Sequence, residues 1–164
     1  MQKIFQKTLN DNIELKGIGL HNGLKVNLQI KPAKPNTGIV FKRVDLSENN
    51  LIQADFKNVV EPILCTKLKN DNGASISTVE HLMASFYGEG IDNALVEVDA
   101  PEIPIMDGSA VDFVDAIRSV GTEDQNKLRK FIKVLKKVEV VDGPKFISIE
   151  PLNEDLIIDF ELIY

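Results

Sequence analysis

The chain has 164 residues, of which 43% are hydrophobic and 27% charged, a balance that suits a folded globular protein and excludes a mostly disordered one. Nineteen basic residues against 25 acidic ones give a formal charge of −6, which argues against broad electrostatic capture of nucleic acid. Cys65 is the single cysteine, so no internal disulfide forms, and no apolar run approaches a signal core or a membrane span; the expected setting is the cytoplasm.

At this length the chain can bury one good core with something extra, since domains commonly run about 100–150 residues. Its opening reads as strands and turns. Lys25 to Ile30 alternates apolar with polar as a half-buried strand does, the proline-bearing stretch Lys31 to Gly38 interrupts it, and Ile39-Val40-Phe41 resumes. Before them lies a glycine-rich turn, Gly17-Ile18-Gly19-Leu20-His21-Asn22-Gly23. No strand and helix flank it in the way a dinucleotide loop requires, and His21 in such a turn reads as structural or exposed. Asp45 to Asn58 is polar surface. Ile63-Leu64-Cys65-Thr66-Lys67-Leu68 reads as a strand in which Cys65 is a small buried residue, or a ligand or nucleophile, and Asn70-Asp71-Asn72-Gly73 turns the chain toward a helix.

That helix, Ser77 to Tyr87, carries the chemistry. Ser77 is placed to cap it and Glu80, three residues on, to close a capping box, with Gly88 or Gly90 as the stop. Val79, Leu82, Met83 and Phe86 form one apolar stripe. His81 falls opposite, beside Ala84, Ser85 and Gly88, on a face that is either open water or a site. Taken by spacing alone, Glu80 is equally a plain capping residue and His81 a surface histidine. Ser85 and Ser77 also rule out the two common zinc-helix templates, His-Glu-x-x-His and His-x-x-Glu-His.

Ala94 to Val98 follows as a central strand, and Asp99 to Gly108 as a loop that Pro101 and Pro104 hold in one shape. Ser109 caps a second amphipathic helix with Ala110, Phe113, Val114 and Ile117 on its apolar face, ending near Val120-Gly121. Thr122 to Asn126 reads as a linker. Beyond it Phe131 to Val134, Val138 to Val141, Phe146 to Ile149 and Leu156 to Tyr164 read as strands, with Asp142-Gly143 as a turn. Lys127, Arg129, Lys130, Lys133, Lys136 and Lys137 form one basic cluster, a solvated face or a phosphate contact. The strand Leu156 to Tyr164 has an apolar face and no helix after it to cover that face, so the chain is expected to be incomplete.

Gly17 to Gly23, Leu64-Cys65-Thr66, Ser77 to Leu82, Gly90-Ile91-Asp92-Asn93 and Ala100 to Ala110 together resemble the UDP-3-O-acyl-N-acetylglucosamine deacetylases of Gram-negative bacteria, zinc amidases of lipid A biosynthesis. The resemblance implies an α+β two-layer sandwich, an antiparallel sheet with two helices on one face, over residues 1–124. It also implies the opening strands of a second similar domain over 125–164. It implies a Zn2+ cofactor with His81 as a ligand and Glu80 as general base. Zinc lowers the pKa of a bound water toward about 7, and a neighbouring carboxylate can take its proton as it attacks the amide. Leu64 and Cys65 match a substrate-lining segment, while His21 and Asp107 fall near the site. The expected partners are the UDP-linked acylated sugar and a missing C-terminal half that holds a His-x-x-x-Asp motif; the complete protein is expected to be a monomer and this chain alone inactive. The competing reading is a non-catalytic protein-association module, with Leu156 to Tyr164 as an unpaired template strand.

Overall fold

The computed structural model describes residues 4–61, 63–153 and 156–162. They form two compact units that divide between Arg129 and Lys130.

In the first unit the centre is a five-stranded sheet. β1 (Phe5–Leu9) precedes it in the chain; the sheet contains β2 (Ile13–Ile18), β3 (Lys25–Pro32), β4 (Ile39–Arg43), β5 (Leu51–Gln53) and, after β6 (Lys67–Lys69), β7 (Ser75–Ser77) and the helix α1 (Glu80–Glu89), β8 (Ala94–Val98). The spatial order is β2-β3-β8-β4-β5. β8 is central, as expected, with Ala94, Val96 and Val98 buried. Most neighbours are antiparallel, but β4 and β8 run parallel, with Phe41 opposite Val96. A parallel pair needs a long crossover, and the stretch from Arg43 to Ala94, which includes α1, provides it.

Alternation along each strand sorts the faces. Val26, Leu28, Ile30, Ile39, Phe41, Ile52, Ala94, Val96 and Val98 are buried, and Leu82 and Phe86 of α1 with Phe113 and Ile117 of α2 (Val111–Val120) belong to the same core. The helices pack against each other and give the second layer of the α+β sandwich. The other face is polar: Lys31 and Lys42 pair with Glu97 at 2.6 and 2.9 Å.

Polar residues tie on the rest of this unit. β9 (Thr122–Leu128) pairs antiparallel with β1, and behind that pair Asn93 is buried. Asn93 donates to the Gln6 and Gln125 carbonyl oxygens at 2.9 and 2.7 Å and accepts from the Gly38 amide at 2.8 Å. Its backbone carbonyl accepts from the Thr8 hydroxyl at 2.7 Å. The second unit contains one hairpin, β10 (Val138–Asp142) and β11 (Lys145–Ile149), with Gly143 at φ 57° in its turn and its side chains exposed.

Several expectations change. Thr122 to Asn126 is not a linker but part of β9, because backbone pairing with β1 makes a strand without apolar alternation. The strand expected from Ile63 is confined to Lys67–Lys69; Leu64 has φ 58°, which breaks extension before it. Phe131 to Val134 and Leu156 to Leu162 are irregular, since among the described residues no neighbouring strand offers them hydrogen bonds. Ile163 and Tyr164 of that last expected strand lie outside the described residues. The Ser109 cap holds, one residue before the helix boundary: its hydroxyl accepts from the Val111 amide at 3.1 Å.

Two outcomes follow for stability. Arg43, itself buried, grips Asp45 through Nε and Nη2 at 2.8 and 2.6 Å and donates from Nη1 to the Ser75 carbonyl at 2.7 Å. The hydrogen bond from Arg43 holds the Asp45 carboxyl below its ordinary value of 3.8, with the Arg43 charge helping and burial opposing. The ion pair's stabilisation is therefore complete above the unfolded value and is lost as pH falls through the lowered one. Asp45→Asn should cost about 1 kcal/mol at neutral pH, discounted for partial exposure, and flatten the acid limb of a Tm-against-pH curve below about pH 4. Asn93→Ala would leave the Gly38 amide and the Gln125 side-chain carbonyl without this partner and take one of two donors from the Gln6 carbonyl, and urea unfolding should show a loss of about 3 kcal/mol.

Candidate functional site

The start of α1 is set by its neighbours more than by its own residues. β7 ends where the Ser77 amide donates to the Pro101 carbonyl and the Ile103 amide donates back to the Ser77 carbonyl, both at 3.0 Å. With its amide taken, Ser77 cannot receive Glu80, and the expected capping box does not form. Thr78 then turns the chain at φ 57°, buried, its hydroxyl donating to Glu102 Oε1 at 2.8 Å. Val79 occupies the cap position with no side-chain hydrogen bond, and Glu80 opens the helix. The Glu80 carboxylate swings toward the preceding segment, where Oε2 accepts from the Thr66 amide at 3.1 Å. Thr66 also accepts from the Val79 amide at 3.5 Å, so one residue holds the helix start through both its backbone groups. At the far end Gly90, at φ 71°, takes the left-handed cap. The stripe Val79, Leu82 and Phe86 is buried as predicted; Ser85, expected beside His81 on the open face, is buried too, its hydroxyl donating to the Leu82 carbonyl at 2.7 Å.

The loop after β8 runs beside this start. Glu102 lies between Pro101 and Ile103, is 1% exposed, and makes a bridge with Ser77 through its backbone. Its carboxylate accepts from the His21 amide at 3.0 and 3.2 Å and from the Asn22 amide at 3.1 Å. The glycine turn is thereby pulled onto the proline loop, and the Ile105 amide donates to the Ile18 carbonyl at 3.0 Å. A Cβ on Gly17 would sit 2.7 Å from the Pro104 Cβ, and one on Gly19 would sit 2.6 Å from Glu102 Oε2. Close approach of the loop is what requires glycine at both positions.

The candidate residues distribute around this junction. His81 is half-buried on the first turn of α1, and Asp107 is close enough to feel its charge. Two hydrogen bonds from Ser109, at 2.8 Å each, hold the Asp107 carboxyl below the usual range, burial opposes them, and the His81 ring adds a lesser effect in the lowering direction. Cys65 is half-buried next to Thr66, hence next to the Glu80 carboxylate. Leu64 is 87% exposed and left-handed at φ 58°. The His21 side chain is exposed; its backbone, not its ring, is what engages the junction. Reading the sequence passed over Thr66, Thr78 and Glu102. Only Glu102 left a signal, an acid set among Pro101, Ile103, Pro104 and Ile105 in an otherwise apolar run.

Chemically the junction offers an oriented carboxylate, an imidazole on the next residue and a further carboxylate within electrostatic reach of that imidazole. That set suits proton transfer and contributes a nitrogen donor toward a metal. Among the described residues no group of three or more His, Cys, Asp or Glu side chains gathers to hold a metal ion. No helix among them is long and apolar enough to cross a membrane.

Comparison with known proteins gives a consistent result. A family model for LpxC, the UDP-3-O-acyl N-acetylglycosamine deacetylase, matches residues 6–164. A UDP-3-O-acyl-N-acetylglucosamine deacetylase of Haemophilus influenzae is 49% identical over 161 residues, covering 96% of this chain and 53% of that protein. Its counterpart in Shewanella piezotolerans is 51% identical over 160 residues, covering 96% and 52%. The one in Actinobacillus succinogenes is 53% identical over 150 residues, covering 92% and 49%. The chain thus spans about half the length of the curated relatives it matches. A match that runs through nearly every element described above, at about half identity, leaves one conclusion on ancestry: this chain belongs to the UDP-3-O-acyl-N-acetylglucosamine deacetylase family.

Proposed function

We propose that the chain is the N-terminal part of a zinc-dependent amide hydrolase, acting in the cytoplasm on UDP-3-O-acyl-N-acetylglucosamine in lipid A biosynthesis, with Glu80 as general base. Family membership across residues 6–164 is the observation that carries the reading. The relatives' names state the substrate and the reaction.

A catalytic zinc keeps three protein donors and an open position. The described residues do not supply such a set. His81 would be one donor, with the others contributed by a later half, and the 164 residues alone should be inactive. Glu80 is argued from its own geometry. Thr66 engages Oε2, and the second carboxylate oxygen takes a proton from water as the water oxygen bonds to the acetamide carbonyl carbon. When the C–N bond breaks, the same proton goes to the departing nitrogen, giving acetate and the free sugar amine. The carboxylate also stands in the first turn of α1, where the positive end of the helix favours an anion.

A second reading, protein association, is favoured by the exposed Phe131, Ile132, Leu135, Ile158 and Phe160 of the second unit. Light scattering on the isolated chain addresses it: self-association or capture of a separate partner supports it, and a stable monomer that gains activity only by extension of the reading frame rejects it.

The decisive measurement is zinc content and deacetylase activity for this chain and for its extended reading frame. The long form should hold zinc and deacetylate, Glu80→Ala should reduce its kcat by about 10²–10⁴ with zinc retained, and His81→Ala should lose zinc. Undiminished activity in Glu80→Ala sinks the base assignment, and an inert long form sinks the function.

A further inference from the structure

Glu102 is the one buried carboxylate among the described residues, and its partners are neutral: two backbone amides of the glycine turn and the Thr78 hydroxyl. As a device for stability this is poor. Removing a carboxylate from water costs several kcal/mol, and apolar groups of the same volume commonly do as well in such a place. At 1% exposure Glu102 is also closed to any substrate. What its carboxylate does achieve is geometric. It draws donors from two segments, residues 21–22 and residue 78, to a single point.

Thr78 is the more telling of these partners. A β-branched residue at φ 57° is strained by about 1–3 kcal/mol and persists only where its surroundings over-determine it. Its hydroxyl reaches Glu102 at 2.8 Å, and the helix that follows has no side-chain cap of its own. Glu80 and His81 come two and three residues later, in the first turn of α1, so the Thr78 turn is the backbone from which both are carried. We propose that Glu102 is a positioning residue: through Thr78 it sets the first turn of α1, and with it the Glu80 carboxylate on Thr66 and the His81 ring, while through His21 and Asn22 it fixes the glycine turn over the same loop.

The effect on catalysis rests on the deacetylase reading above; the effect on geometry does not, and the test separates them. In the 164-residue chain, amide hydrogen exchange is followed by NMR for wild type, Glu102→Gln, Thr78→Val and Thr78→Ser. Glu102→Gln should raise exchange at His21, Asn22 and Thr66 by about tenfold or more, with Leu28 and Val96 in the central sheet changed by less than about threefold. Thr78→Val should raise it at Thr66, and Thr78→Ser, which keeps the hydroxyl, should restore wild-type protection. Unchanged exchange at Thr66 in Glu102→Gln overturns the proposal, and so does a uniform rise that includes Leu28 and Val96, which would mark a merely structural role. In the extended reading frame, Glu102→Gln should lower kcat by about tenfold with little change in KM, and Thr78→Ser should keep the wild-type value. If the wild-type long form has no activity, the deacetylase reading fails while the exchange pattern still decides for or against Glu102 as the residue that places α1.

Discussion

A buried carboxylate with no cation beside it is costly unless hydrogen-bond donors surround it, and Glu102 draws its donors from two stretches of chain, residues 21–22 and residue 78, that are far from each other in sequence. That requirement shapes the junction. The proline loop must lie against the Ser77 backbone, the glycine turn must come down onto the loop, and Thr78 must accept a left-handed backbone to present its hydroxyl. Gly17 and Gly19 follow as consequences, because a side chain at either would collide with Pro104 or with Glu102 itself.

The same logic recurs at the other end of α1. Asp92, just past the Gly90 cap, accepts from the Lys7 amide at 2.7 Å and from Arg129 Nε and Nη2 at 3.1 and 2.8 Å. Next to it Asn93 joins β1, β9 and the segment before β4. α1 is thus held between two polar clusters while its apolar stripe rests on the sheet. A helix fixed at both ends and along one face presents its remaining face reproducibly, which is what a site built from Glu80 and His81 needs.

Family membership changes what the junction means more than what it is. By spacing alone Glu80 and His81 are a helix-start acid and a half-exposed histidine; in the proposed reaction they would serve as the base and one metal donor. The chain spans about half the length of the relatives it matches. The first unit has its own closed core, to which neither Leu64 nor the exposed apolar residues of the second unit contribute.

Local pattern was enough for much of the fold. Alternation from Lys25 to Ile30, the largely apolar β8 and the stripes of α1 and α2 each report burial that a short segment can achieve only in one way. The two-layer sandwich was legible for that reason, and the family through motifs that include the Glu80-His81 pair. Hidden from sequence were β9, a polar strand made by backbone pairing, the parallel neighbours β4 and β8, the early end of the strand around Leu64, and the replacement of the Ser77 capping box by Thr66 and Thr78. Sequence by itself determined which faces are apolar, because apolarity is a property of side chains. Only the tertiary structure decided which backbone groups pair and where the helix begins, because a hydrogen bond between residues 14 to 81 positions apart leaves no periodic trace in the chain.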